Sequence, residues 1–573
     1  MRAIHLLFAL TAFTLPALAA DADTLPALEG GAAPQSFDAM WSGFDPRAEP
    51  LDVEVLKEWE EEGVVMKVLR YRVGVFKGKK AMIGAVYGHP KGATKLPGLV
   101  QIHGGGQYAN HMAVLTNAKR GYASISISWA GRISAPGYTV NPAVVKLFWD
   151  NKVDDPNYKL TTDWGALDGY HAPSRHGKDA FNSLPAESWT IDSVPSPRNS
   201  SWFLATMGAR RALTFLERQP EVDGSRLGVY GHSMGGKLTV LTTAADDRVK
   251  AAAPSCGGIS EIHNKNPLHR NAVGDGVNLE RIDCPIIFLS PTNDFHGRVD
   301  DLPGAVASIK TKDWRVTCNP HANHQDLPEF EVATQLWFDQ YLKNAFVWPQ
   351  TPQTELTLAT ESGVPRFQVK VDTSRPIRGV EVYYTQQGVE GGDPKLRENR
   401  INRFWHHAST SGEGENWQAD LPVFDAAKPL WVFANVIYGL DQPVSGAGYY
   451  YRPYTTDRFV VSSLIELKKA GDLKAAGVKS TLKPERMIES FGKDWEKEWF
   501  TYRPEDWARS THKLYHPRWA APEGASMEFQ VRAEQPNTLV VGLDDRAAEV
   551  KLTGGSDWQN VRLTAADLKD VAG

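Results

Sequence analysis

The strongest chemical signal in the sequence is Gly231-His232-Ser233-Met234-Gly235. A serine hydroxyl is a weak nucleophile, and it must project from a sharp turn to meet both a base and a substrate. Glycines two before and two after the serine let a strand and a helix approach closely at such a turn. The flanking pattern supplies both elements: an apolar strand run covers 226–230, and a helical pattern begins at Met234. An ordinary glycine-rich turn between strand and helix is the plain alternative, and the residues downstream argue against it.

An activated serine needs a base, and the base needs an acid to orient it. The apolar run 285–290 ends in Pro291-Thr292-Asn293-Asp294-Phe295-His296, and the run 314–317 ends in Asn319-Pro320-His321-Ala322-Asn323-His324. Groups just past the C-terminal ends of sheet strands gather on one rim, where ligands and catalytic residues meet. The expectation is therefore that His324 takes the Ser233 proton, while Asp294 orients the ring and stabilises the imidazolium. His321 competes for the role of base. His324 is preferred because it lies just before the last helix, and the loop needs length to reach back. Asp300 and Asp301 are weaker rivals to Asp294, being further from the strand end. His296 is read as a loop-packing residue.

Acyl transfer also needs donors for a developing negative oxygen. The backbone N–H of Met234, at the helix start, is one. The second is expected from the loop after Ile102, where His103-Gly104-Gly105-Gly106-Gln107 can turn backbone amides inward. The candidates are Gly105, Gly106 and Gln107, with Gly106 or Gln107 favoured. His103, Trp129, Trp164 and His232 are read as substrate contacts. Cys256, Cys284 and Cys318 form no C-x-x-C pair, and their odd number leaves at least one thiol free. No metal and no cofactor are expected.

The elements that would hold these residues follow from the rhythm of the chain. Alternating runs at 65–76 and 81–87, joined by turn residues, read as an antiparallel strand pair. A buried strand at 99–102, a helix at 110–120 and a strand at 122–128 then read as a parallel α/β sheet. Residues 133–200, rich in Asn, Asp, Pro and aromatics, break that rhythm and read as a lid or insertion. Trp149, Tyr158, Trp164, Tyr170 and Trp189 there could meet substrate or form the insertion's own core. The α/β pattern resumes with a helix at 203–218, the strand before Ser233, a strand at 250–253 and a closing helix at 329–343. Upstream, residues 21–60 read as a lead-in with a short acidic helix at 55–62. The catalytic domain is expected over 61–348. Period-two runs at 367–371, 380–384 and 430–437 describe a β-sandwich over 349–465. Residues 466–524 read as a mostly helical linker, and 525–573 as a partial jelly-roll-like β module that stops where more strands would be expected.

Residues 1–20 carry Arg2, an apolar run from Leu6 to Leu15 and Ala17-Leu18-Ala19 before Asp21, the layout of a cleavable signal peptide. A secreted or periplasmic protein is expected. That apolar run is too short to span a bilayer, and no later run of 18 or more apolar residues occurs. The formal net charge of −5 gives no reason to expect nucleic acid as a partner. The eighteen tryptophans are read first as filler for large cores.

Together the HGGGQ, GHSMGG, TNDFHG and HANHQ motifs, spread over about residues 65–345, resemble the α/β-hydrolase superfamily, and within it the secreted acetyl-xylan-esterase and dienelactone-hydrolase-like group. The resemblance implies metal-free hydrolysis of small-molecule or polysaccharide esters through an acyl-serine. Dienelactone hydrolases use a cysteine nucleophile, so Ser233 moves the expectation towards an esterase. The β-modules look similar to accessory domains of carbohydrate-active enzymes, and Ser556-Asp557-Trp558-Gln559 is similar to part of a sugar-binding jelly roll. Two other classes compete. A serine peptidase of the prolyl-oligopeptidase type shares the elbow and triad order, but the segment before the catalytic domain is too short for a propeller. A non-catalytic binding protein would be expected to have lost a triad member, and none is missing. Oligomeric state is not legible.

Overall fold

The computed structural model describes residues 22–28, 30–137, 162–165, 167, 185–261, 266–388, 400–450, 452–501 and 508–571. The export-signal reading of residues 1–20 and most of the 133–200 insertion, with Trp149, Tyr158 and Tyr170, lie outside them.

Runs such as Val100, Ile102, Ile125, Ile127 and Val229 are apolar on both faces and fully buried, as strands covered by helices on both sides must be. Strands of this kind form the middle of a nine-stranded central sheet: β1 (Glu54–Glu61), β2 (Val64–Phe76), β3 (Lys79–Pro90), β4 (Leu96–Ile102), β5 (Ala123–Ser128), β6 (Val222–His232), β7 (Val249–Ser255), β8 (Ile286–Leu289) and β9 (Trp314–Thr317). In space they run β1-β2-β3-β5-β4-β6-β7-β8-β9. β1, β2, β3 and β5 pair antiparallel, and every pair from β5–β4 to β8–β9 is parallel. This is the α/β-hydrolase sheet, with helices α1 (His111–Lys119), α2 (Ser201–Glu217), α3 (Met234–Ala245) and α4 (Leu302–Ser308) joining its strands and α5 (Ala333–Lys343) following the last of them.

One expected element is corrected. The stretch read as an acidic helix at 55–62 is strand β1. Its charged residues are mostly exposed, and pairing with β2 from Glu54↔Arg70 to Glu61↔Val64 overrides the helix-forming composition.

After the sheet, two antiparallel sheets form a β-sandwich. One holds β10 (Gln353–Thr357), β11 (Arg366–Lys370), β14 (Thr410–Glu413) and β15 (Asn416–Asp420). The other holds β12 (Ile377–Thr385), β13 (His406–Ala408), β16 (Leu430–Gly446), β17 (Tyr454–Ser462) and the short β18 (Glu466–Lys468). The sandwich core is continuous with one side of the hydrolase: Leu336 and Trp337 of α5 pack in the same cluster as Phe367, Val382, Val432 and Phe459. The segment expected to be mostly helical after this is corrected: among its described residues it holds a six-residue helix, Ala470–Ala475, and short 3₁₀ turns. The last strands, Met527–Val531, Asn537–Leu543, Arg546–Leu552 and Gln559–Leu563, gather around a small core of their own with Val550, Leu552 and Leu563. Among the described residues, no helix is long and apolar enough to cross a membrane.

Candidate active site

Ser233 sits in the turn between β6 and α3 with φ 60° and ψ −120°. A residue with a Cβ resists that backbone, so the surroundings must impose it. They do so by close approach. A Cβ on Gly231 would come within 2.3 Å of the Ile102 carbonyl oxygen, and one on Gly235 within 2.0 Å of the same atom. Only glycine lets β4, β6 and α3 crowd together, and the crowding pushes the Ser233 hydroxyl onto the rim. The Ser233 N–H donates to the Ser255 carbonyl at 2.8 Å, tying the turn to β7.

β8 and β9 deliver the other two groups to the same rim. Asp294 follows β8 and is buried. Its Oδ1 accepts the N–H groups of His296 at 2.5 Å and Gly297 at 2.6 Å, and its Oδ2 accepts from His324 Nδ1 at 2.8 Å. Burial by itself would raise this carboxyl, but the bonds and charge from His324 and His296 hold it below the ordinary carboxylate value. His324 follows β9, and its Nε2 accepts the Ser233 hydroxyl at 2.7 Å. With Nδ1 donating to Asp294, the tautomer leaves Nε2 free to take a proton. The three residues are thus connected in one line: hydroxyl, imidazole, carboxylate.

The rival residues face elsewhere. His321 is buried against Phe404 and Phe500, at ring distances of 5.6 and 6.5 Å, in an aromatic cluster shared with His512. Burial keeps its imidazole well below the ordinary histidine value. Asp300 forms a two-pronged ion pair with Arg403, at 3.0 and 2.7 Å, and Asp301 pairs with Arg298. His296 donates through Nδ1 to the Cys256 carbonyl at 2.9 Å, a packing role beside the acid.

The loop after β4 lies directly against the elbow, since a Cβ on Gly104 would stand 3.1 Å from the Ser233 Cβ and one on Gly105 would strike the Met234 side chain. The N–H of Gln107 donates within the loop, to the Gly104 carbonyl at 3.2 Å. Gln107 is therefore corrected as an oxyanion donor. Its side chain instead clips the loop: Oε1 accepts the Gly104 N–H at 2.7 Å and Nε2 donates to the Tyr449 carbonyl at 3.1 Å. Gly105, Gly106 and Met234 remain the candidate donors, Gly106 having φ +74° and its carbonyl held by Arg132 at 2.9 Å.

All four expected substrate contacts, His103, Trp129, Trp164 and His232, are corrected. His103 is fully buried and stacks on Trp129 at 5.2 Å, whose Nε1 donates to the His103 carbonyl at 2.8 Å. The pair braces the loop from behind, and burial pulls the His103 imidazole down to about 3. Trp164 is buried in the core beside Gly208 of α2, next to the backbone bridge from Asp163 to Met82. His232 lies under the base, 4.9 Å from the His324 ring, but is itself buried between Tyr449 and Ser255.

Sequence reasoning missed two exposed aromatic residues beside His324. Phe295 is exposed and lies 4.3 Å from the His324 ring. Tyr450, 40% exposed, comes from the turn between β16 and β17 of the sandwich, and its hydroxyl donates to the His324 carbonyl at 2.9 Å. The aromatic run after Gly446-Ala447-Gly448 was the available signal, since a glycine-rich hairpin tip with consecutive tyrosines is an odd use of large side chains. All three cysteines are free and buried. His232, Cys256 and His324 form a cluster with metal-ligand chemistry, but His324 already uses both nitrogens for Asp294 and Ser233.

Residues 143–327 match the model of the dienelactone hydrolase family. A comparison with curated proteins found no match. Among solved structures, the chain is similar to an acetyl xylan esterase from Paenibacillus sp. R4, at 18% identity and TM-score 0.38, covering 52% of this chain and 91% of that one. Acetyl xylan esterase 1 from Thermoanaerobacterium sp. JW/SL YS485 matches at 18% identity and TM-score 0.36, covering 54% and 95%. A glucuronoyl esterase from Solibacter usitatus matches at 15% identity and TM-score 0.32, covering 52% and 86%.

Proposed function

We propose that this α/β-hydrolase is an exported serine carboxylic-ester hydrolase that works through an acyl-enzyme and removes acyl groups from carbohydrate. The observation that carries the reading is the unbroken line from Ser233 Oγ through both nitrogens of His324 to Asp294, at 2.7 and 2.8 Å. Such a line activates the hydroxyl only when the imidazole has a fixed tautomer and a buried anion behind it, and both conditions hold here.

In the proposed reaction, Ser233 Oγ attacks the ester carbonyl as its proton passes to His324 Nε2. The oxyanion is met by the Met234 N–H and the amide of Gly105 or Gly106. Collapse expels the alcohol, which takes the proton from His324. Water then enters and gives a proton to the same nitrogen as its oxygen attacks the acyl carbon; the bond to Ser233 Oγ breaks, that oxygen recovers the proton from His324, and the acid leaves. Asp294 stays ionised throughout and compensates the imidazolium.

The carbohydrate part rests on the motifs shared with the acetyl-xylan-esterase group and on the aromatic rims of Phe295 and Tyr450, which suit a sugar face. Incubation with p-nitrophenyl acetate, acetylated xylan and a peptide anilide tests it. Release of acetate from the first two, with an acyl adduct on Ser233 by mass spectrometry, is the expected result; anilide cleavage alone would identify a peptidase, and no turnover a binding protein. N-terminal sequencing of exported protein tests the leader, with Asp21 expected as the first residue.

A further inference from the structure

We infer that the hydroxyl of Tyr450, supplied by the β-sandwich, is a positioning group that sets the orientation of His324. The inference rests on the reading of His324 as the base.

His324 has φ +56°, a left-handed conformation that a residue with a Cβ holds only when its surroundings impose it. The direction of its carbonyl is coupled to that backbone, and with it the direction in which the ring leaves the chain. Tyr450 Oη donates to this carbonyl at 2.9 Å. The same oxygen lies 3.3 Å from His232 Nε2, and His232 Nδ1 lies 3.1 Å from the Ser255 hydroxyl. The His324 carbonyl can only accept, so the Tyr450 proton is directed to it, and the Tyr450 oxygen in turn accepts from His232 Nε2–H. The chain of donors runs one way and ends on the base.

The tyrosine is itself held firmly. Its neighbour Tyr449 is pinned at three points: its N–H donates to Glu331 Oε1 at 2.5 Å, its hydroxyl meets Thr334 Oγ1 at 2.9 Å, and its ring stacks on His232 at 5.2 Å. Its carbonyl receives the Gln107 side chain. One hairpin tip therefore touches the oxyanion loop and the base loop together. The acid loop is fastened by the same domain, through Asn293 Nδ2 donating to the carbonyls of Ile401 at 3.0 Å and Arg403 at 2.8 Å.

Tyr450→Phe is the test, with Tyr454→Phe as control, because the Tyr454 hydroxyl on the same hairpin bonds Gln335 Oε1 at 3.0 Å and not the base loop. A misplacement of about 1 Å in a catalytic group can cost on the order of 10²-fold in rate. The expectation for Tyr450→Phe is a fall in kcat of about 10- to 100-fold on p-nitrophenyl acetate, with KM changed less than about twofold. The low-field proton resonance of the His324 Nδ1–H, identified by its absence in His324→Gln, should move upfield or broaden in Tyr450→Phe and stay in place in Tyr454→Phe. An unchanged kcat and resonance in Tyr450→Phe, or equal effects in the two variants, would overturn the inference. If the wild-type protein turns over no ester, the proposed function fails, while the resonance still decides whether Tyr450 orients the ring.

Discussion

His324 Nδ1 and Asp294 Oδ2 lie 2.8 Å apart across thirty residues of chain, and the strand between them is what closes the gap. β8 and β9 are parallel neighbours in register from Ile286↔Trp314 to Leu289↔Thr317, so the loops that leave their ends start side by side. Asp294 and His324 therefore meet without any long excursion. Ser233 leaves β6, two strands further in, and His324 reaches back over that distance because its loop precedes α5 by several residues.

Ser233→Ala should reduce hydrolysis of p-nitrophenyl acetate by on the order of 10⁴- to 10⁶-fold. The far-ultraviolet circular dichroism and melting temperature should match the wild type, since the hydroxyl makes its one described contact with His324. A variant that retains most of its turnover would remove Ser233 from the reaction.

His324→Ala and His321→Ala should behave differently. The first should lose activity by several orders of magnitude and fold normally. The second opens a hole between Phe404, Phe500 and Tyr383, so it should lose on the order of 2 kcal/mol of stability while the folded fraction keeps its turnover. Denaturant titration alongside kcat measures both. Equal, mild losses in activity would mean the base has been misassigned.

Gly235→Ala should be far more damaging than its size suggests. Its Cβ would lie 2.0 Å from the Ile102 oxygen and 2.7 Å from that of His103, both backbone atoms that cannot swing aside. Loss of folded protein, or a drop of several kcal/mol in stability, is expected. Gly105→Ala, which meets only the flexible Met234 side chain, should be milder. Soluble yield and thermal melts would separate the two.

Glu331→Gln should flatten one limb of the pH–stability profile. Burial pushes the Glu331 carboxyl up to about 8, with the Tyr449 N–H pulling partly the other way. The native state therefore holds a proton that the unfolded chain has released above about 4.3. Between those values the native protein binds more protons, so stability falls as pH rises. The amide keeps the acceptor for Tyr449 but cannot ionise, and its melting temperature should gain on the wild type steadily from pH ~4.5 to pH ~8. A constant difference across that range would contradict the assignment.

The central sheet and the meeting of Ser233, His324 and Asp294 were legible because each signal was local. Gly231 to Gly235 announces a turn between a strand and a helix, and the acid and base loops begin where apolar runs stop. The strand Glu54–Glu61 was not legible, because its composition favours a helix and only its pairing with β2 decides otherwise. Trp129 and Trp164 show a second limit: an aromatic residue near a motif says nothing about which face of the sheet it joins. Tyr450 shows a third, since its bond to His324 spans 126 residues and two domains.

The apolar continuity between α5 and the sandwich bears on how such a protein can be recombined. A fragment ending near Trp348 would leave Leu336, Trp337 and Phe338 facing water and three rim loops unbraced. The sandwich therefore cannot be grafted between esterases as a free-standing cassette. The small sheet pair around Val550 and Leu552 packs on itself, and is the portion that gene fusion could trade without touching the chemistry.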